Sequence, residues 1–149
     1  MTGSVSGTVK TEQREVIELS FPADVDLVVL ARFTAAAVAA RAGFDVEEIE
    51  DLRLAVDELC VSFGPIEESE AVRLQFMRTD HSVRIVCEFE RPNPPVSDPA
   101  AFNTDGLNPQ RADDLSRQLL DALVDEHGRD DRDQKPCAWL EKRGGVLSA

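Results

Sequence analysis

Residues 71–78, AVRLQFMR, and 82–89, SVRIVCEF, each alternate apolar and polar side chains, and only Thr79-Asp80-His81 lies between them. A joint this short can connect only neighbouring antiparallel strands, since a parallel pair needs a crossover of about a dozen residues or more. The hairpin therefore commits the chain to an antiparallel sheet. EVIELSF (15–21) alternates too, with Ile17, Leu19 and Phe21 on one face, and ends at Pro22. PCAWLEKR (136–143) predicts a last strand, paired with a short strand near His127.

Between these strands the period changes to that of a helix. Asp24 or Asp26 can cap a helix over LVVLARFTAAAVAARA that stops at Gly43. Asp45 and Glu48 form a capping-box pattern for the next one. Its apolar positions Ile49, Leu52, Ala55, Val56 and Leu59 continue to about Phe63, before Gly64-Pro65 closes it. A third helix is predicted from about Asp113 to Asp125, with Leu115, Leu119, Leu120 and Leu123 as its buried stripe. Residues 91–111 are rich in Pro, Asn and Asp and predict a long functional loop. Strand pairs with helices gathered between them fit a two-layer α+β sandwich rather than a parallel α/β fold.

With 149 residues the chain is expected to form one domain over 14–143, with flexible tails at 1–13 and 144–149. A net charge of −13 speaks against binding nucleic acid or an anionic membrane and favours a basic protein surface. Cys60, Cys87 and Cys137 have no zinc spacing and sit in apolar patterns, so they are expected to be core thiols in a reducing cytoplasm. No secretory leader is read at the start. The alanine-rich stretch is interrupted by Arg32 and Arg41, so a soluble cytoplasmic protein is expected. His81 and His127 show no triad pattern, and a histidine at a helix end is explained by the dipole. RDDRDQK (129–135) reads as a solvated turn and Trp139 as packing. DVEEIED (45–51) has carboxylates but no calcium-loop glycine, and no metal site is expected.

The element order, with FPADVDLVVLARFTAAAVAARAGFDVEEIEDLRLAVDELC (21–60), resembles the bacterial anti-sigma factors that are serine kinases of the GHKL ATPase superfamily. The resemblance covers roughly residues 15–143 and is strong again at LLDALVDEH (119–127), which matches the helix after the family's ATP lid. It implies the histidine-kinase-like (Bergerat) fold, a mostly antiparallel sheet with three helices on one face. It also implies binding of a sigma factor, release by a STAS-type anti-anti-sigma protein, and a homodimer formed through the sheet side. Glu58 matches the presumed base for a substrate serine, and Arg32 a basic residue of the partner surface, with Asp24 and Thr34 as neighbours.

Three nucleotide boxes depart from the family's pattern. Ser62 stands where an asparagine would hold magnesium, and a hydroxyl is a shorter, weaker ligand. Glu88 or Glu90 would replace the adenine-reading aspartate, in CEFERPNPPVSDP (87–99), where prolines occupy the glycine positions. The lid reads NPQRADDLSRQLL (108–120), with Asp113 and Asp114 at a helix start and Gly106 as the loop's one glycine. The expectation is a partner-binding regulator with nucleotide binding lost or weak and no cofactor, or Mg-ATP if the site survives. The alternatives are an active Mg-ATP-dependent serine kinase acting on a STAS antagonist, and a sigma-unrelated interaction domain derived from a histidine-kinase ATPase domain.

Overall fold

The computed structural model describes residues 14–62, 64–91, 109–132 and 135–145. The anticipated hairpin is its centre: β2 (Ala71–Arg78) pairs antiparallel with β3 (Ser82–Glu90), with Leu74 opposite Cys87 and Phe76 opposite Ile85. β1 (Glu15–Pro22) adds to the free side of β2, placing Leu19 opposite Leu74 and Phe21 opposite Val72. On the other side β5 (Lys135–Arg143) pairs with β3, and β4 (Glu126–Arg132) closes the sheet in the order β1-β2-β3-β5-β4. Every pair is antiparallel.

One face of this sheet is the core. Phe21, Leu74, Phe76, Ile85, Cys87, Phe89 and Leu140 point into a single cluster with Ala31, Val38, Leu52, Val56, Leu59 and Leu120 from the helices. Each fully buried Leu, Ile or Phe stabilises the fold by roughly 1.5–3 kcal/mol. The architecture is the expected two-layer α+β sandwich, with a five-stranded antiparallel sheet under three helices.

Local chemistry explains where the helices begin and end. Asp24 Oδ1 accepts from the Asp26 N–H at 2.9 Å and caps a 3-10 turn, Val25–Leu27, that leads into α1 (Val28–Arg41). Gly43 ends the run with φ of +81°, a conformation that suits glycine. In α2 (Val46–Val61) both halves of the capping box form: Glu48 N–H donates to Asp45 Oδ1 at 2.8 Å, and Asp45 N–H to Glu48 Oε1 at 2.9 Å. Such a cap is worth about 1 kcal/mol. At Gly64 the Phe89 ring lies where a Cβ would be, so glycine is required for α2 to turn down onto β3.

α3 spans Pro109–Leu123 and corrects the expected stripe. Ser116, Leu120 and Leu123 face the core, while Leu115 is 64% and Leu119 42% exposed. The inward row is an i, i+4, i+7 series, which leaves the other two leucines on the helix flank. His127 is not at a helix end but in β4, where its Nε2 lies 2.5 Å from Asp121 Oδ1. Most of the charged run 129–135 is strand rather than turn, and charge suits an edge strand that must not pair further. Trp139 packs on the sheet's outer face, its ring 4.5 Å from the Arg84 guanidinium carbon and over Gly128, where a Cβ would come within 2.8 Å.

All three cysteines are buried, with Cys60 Sγ 3.9 Å from Cys87 Sγ. Burial, then the Cys60 contact, pushes the Cys87 thiol well up, away from reactive thiolate. Among the described residues no helix is long and apolar enough to cross a membrane. The expected tail 1–13, the central part of the 91–111 loop and residues 146–149 lie outside the described residues.

Candidate functional site

α2 carries the centre of the candidate site. Glu58 and Ser62 are one turn apart on the same flank, the one facing α3. Ser62 is the exposed C-cap, and its N–H donates to the Glu58 carbonyl at 3.0 Å. The half-buried Glu58 carboxylate accepts the hydroxyl of Ser116, at 2.7 Å from Ser116 Oγ to Glu58 Oε1. Ser116 is only 3% exposed, a polar side chain on the core side of α3 whose hydroxyl is satisfied by this bond. Sequence reasoning missed Ser116. A lone serine among leucines carries no local signal that its hydroxyl will be buried.

Glu88 and Glu90 are not brought to this site. Cys87 and Phe89 point inward, so strand alternation sends their glutamate neighbours to the opposite face of the sheet. There Glu90 Oε1 pairs with Arg73 Nη2 at 3.3 Å. Glu88 lies opposite Arg73 and Cys137 and lines a shallow depression of about 110 Å³ with Glu18, Arg73, Gln75 and Val86. The proline segment after Arg91 and the lid before Pro109 lie outside the described residues. A nucleotide with its metal would need acidic and hydroxyl donors converging on one side. Among the described residues Glu58 and Ser62 converge while Glu88 and Glu90 do not, and Glu58 is already bonded to Ser116.

The expected partner residues are spread over α1 and its entrance. Arg32 reaches across to α2, its Nε 3.5 Å from Asp57 Oδ1, with the two side chains 41% and 42% exposed. Thr34 lies on the other flank of α1 and returns its hydroxyl to the Leu30 carbonyl at 2.8 Å. Asp24 is engaged as the cap described above. These three do not form one cluster. What sequence reasoning passed over is apolar: Leu30, Phe33 and Leu54 stand 41%, 62% and 56% exposed on the solvent side of α1 and α2. The signal was available, because Phe33 and Leu30 fall opposite the buried Ala31, Ala35 and Val38 on the helix.

A cleft of about 450 Å³ opens beyond the far flank of α3, lined by Arg117, Asp121, Asp125, Glu126, His127 and Trp139. It contains none of the residues singled out from sequence as catalytic or nucleotide-binding.

A helical layer on one face of an antiparallel sheet, with a glutamate near the end of its second helix, is the arrangement of an ATPase-derived domain. The model of the histidine kinase-like ATPase domain family matches residues 21–142, and the chain belongs to that family. It is similar to the serine-protein kinase RsbW of Bacillus cereus (strain B4264), 41% identical over 84 residues covering 48% of this chain and 52% of the relative. RsbW of Bacillus cereus (strain G9842) matches to the same extent. RsbW of Bacillus thuringiensis (strain Al Hakam) is 41% identical over 51 residues, 34% of this chain and 32% of the relative. The chain spans about half the length of these curated relatives. The resemblance to the serine-kinase branch of the GHKL superfamily is borne out.

Proposed function

We propose that this protein is an anti-sigma-factor-like regulator that works by binding. It would hold a sigma factor away from RNA polymerase and release it to a STAS-type anti-anti-sigma partner. The family placement and the RsbW relatives support the class of partner. The observation that carries binding over catalysis is the Glu58–Ser116 hydrogen bond: the candidate base already holds a hydroxyl of its own chain. Phosphoryl transfer rests on positioning phosphates and metal and on neutralising their charge, and Glu88 and Glu90 lie across the sheet from Glu58. Nucleotide affinity is therefore expected to be lost or weak.

One observation favours a second reading. Glu58 and Ser62 share a helix flank, and the relatives are named as serine-protein kinases. An active kinase would use Glu58 as base on a STAS serine. Calorimetric titration of Mg-ATP and Mg-ADP into the purified protein separates the two. No heat at millimolar nucleotide is the expected result. Saturable micromolar binding, with phosphate transfer to a STAS protein abolished by Glu58→Ala, would put the kinase first. The sigma assignment is tested by tagging the chain in its native cell, where a sigma factor or STAS protein is expected to co-purify and Arg32→Glu to reduce its recovery.

A further inference from the structure

Cys60 and Cys87 belong to different elements, 27 residues apart in the chain, and meet in the core. The inward side of α2 is Leu52, Ala55, Val56, Leu59 and Cys60, and that of β3 is Val83, Ile85, Cys87 and Phe89. Each element therefore presents one thiol to the core, and the two are neighbours, Sγ to Sγ at 3.9 Å. A disulfide needs about 2.05 Å between its sulfurs, so the pair has to close by about 2 Å. Shared between two side chains and the end of a helix, that is a small movement. Cys137 is differently placed. It lies opposite Glu88 on β5, so strand alternation turns it towards the other face of the sheet.

The surroundings of the pair favour a slow reaction over a fast one. Ala138 stands opposite Cys87, and it lines a cavity of about 30 Å³ together with Gly64 and Pro65, just past the end of α2. A space of this size holds about one water-sized molecule, and hydrogen peroxide is little larger. Burial, and then the Cys60 contact, raises the Cys87 thiol well above its ordinary value, so thiolate is scarce while the core is closed. Oxidation therefore waits on loosening of the last turn of α2, which suits a response to sustained oxidant rather than peroxide turnover.

We infer that Cys60 and Cys87 form a redox latch, in which a peroxide joins them as a disulfide that ties the last turn of α2 to β3. The thiolate of one cysteine attacks a peroxide oxygen. The O–O bond breaks, a sulfenic acid forms, and the departing hydroxide takes up the proton shed by the thiol and leaves as water. The second thiol then attacks the oxidised sulfur. The S–S bond forms, the S–O bond breaks, and the hydroxyl leaves with the second thiol's proton as another water. The two sulfurs lose two electrons in all, and the peroxide gains them. Cys60 lies two residues after Glu58 and two before Ser62, so the latch fixes the part of α2 that carries the candidate site. It does not depend on which partner the chain holds.

The test exposes the purified, reduced full chain to hydrogen peroxide without denaturant, alkylates the remaining thiols and maps the peptides by mass spectrometry without reduction. The expected product is a single chain, lighter by two hydrogens, with the Cys60 and Cys87 peptides joined and Cys137 alkylated. Dithiothreitol should reverse it. Closing a loop of 27 residues restricts the unfolded chain, so the melting temperature should rise by roughly 5–10 °C on oxidation. Hydrogen exchange should slow at residues 58–62 and 85–89. Cys137→Ala should keep the cross-link and the rise, while Cys60→Ala and Cys87→Ala should each lose both. Circular dichroism checks that these variants fold, and the wild-type peptide map decides the matter even where one does not. A disulfide through Cys137, a cross-link between chains, or sulfinic acid in place of the disulfide overturns the latch. So does a chain whose thiols all stay free under native conditions and react only in urea, since Cys60 and Cys87 would then be packing neighbours and nothing more.

Discussion

Glu15 and Glu58 are both half-buried carboxylates at seams between elements, and the two are held in opposite ways. Glu15, on β1, takes the Arg41 guanidinium from α1 through Nε at 2.8 Å and through Nη2, and the Arg78 Nε of β2 at 3.0 Å. Those bonds, Arg41 first and Arg78 second, hold its carboxyl down to about 2. Glu58 has one neutral donor, the Ser116 hydroxyl, and no cation within ion-pair range among the described residues. A carboxylate clamped by two guanidiniums stays ionised and serves structure. One held by a single hydroxyl keeps further lone pairs free and contributes less to stability.

The largest effect in this comparison is expected at Glu15. Glu15→Ala leaves Arg78, 8% exposed, buried without its carboxylate, and unpaired buried charge is among the most damaging changes a fold can suffer. Its melting temperature should fall further than that of any Glu58 or Ser116 variant. The pH dependence has a definite sign. The folded carboxyl titrates at about 2 and its reference value is 4.5, so the unfolded chain binds the extra proton between them. The contribution is therefore complete above about pH 4.5 and is lost as pH falls towards 2. Urea melts from pH 6 to 2 should show Glu15→Gln to be less stable than wild type at pH 6, with a smaller further loss on acidification. Equal slopes would mean that the double clamp does not form in solution.

At the other carboxylate the effect is smaller. Ser116→Ala removes one hydrogen bond to a group that water can still reach, so about 1 kcal/mol is expected in urea unfolding. Glu58→Ala should be partly redundant with it, and a double-mutant cycle should give a coupling of roughly 1 kcal/mol. Strict additivity would mean that the α2–α3 seam is not joined there, and the structural argument against catalysis would lose its support.

What the sequence made plain, and what it hid, follows the same division between local and distant interactions. The 79–82 hairpin, the Asp45–Glu48 capping box and the Gly43 stop are contests between neighbours, decided within four residues, and all three form. Ser116 was hidden because the carboxylate that makes its burial tolerable is 58 residues away. Leu115 and Leu119 were placed inside on hydrophobicity alone, although the inward row is fixed by Leu120, Leu123 and that distant bond. The outward aim of Glu88 and Glu90 was readable, since Val83, Ile85, Cys87 and Phe89 alternate with them. What obscured it was the resemblance, which asked for an acidic residue near the end of that strand.

The smallest stability effect is expected at Arg32, the residue on which the binding reading is tested. The Arg32 and Asp57 side chains are each about two-fifths exposed and meet at 3.5 Å without a hydrogen bond, so their attraction is weak and offset by side-chain entropy. Arg32→Ala should therefore change unfolding free energy by no more than about 0.5 kcal/mol, and added salt should erase the difference. If its guanidinium instead serves an incoming carboxylate, desolvated beneath a bound partner, the same substitution should weaken the complex about tenfold or more. A variant that melts like wild type and loses its partner would set Arg32 apart from Arg41 and Arg78, which hold the fold through Glu15. If Arg32→Ala instead lowered stability as much as Ser116→Ala and left binding intact, Arg32 would belong with Arg41 and Arg78 as a structural cation, and the partner surface would have to be sought without it.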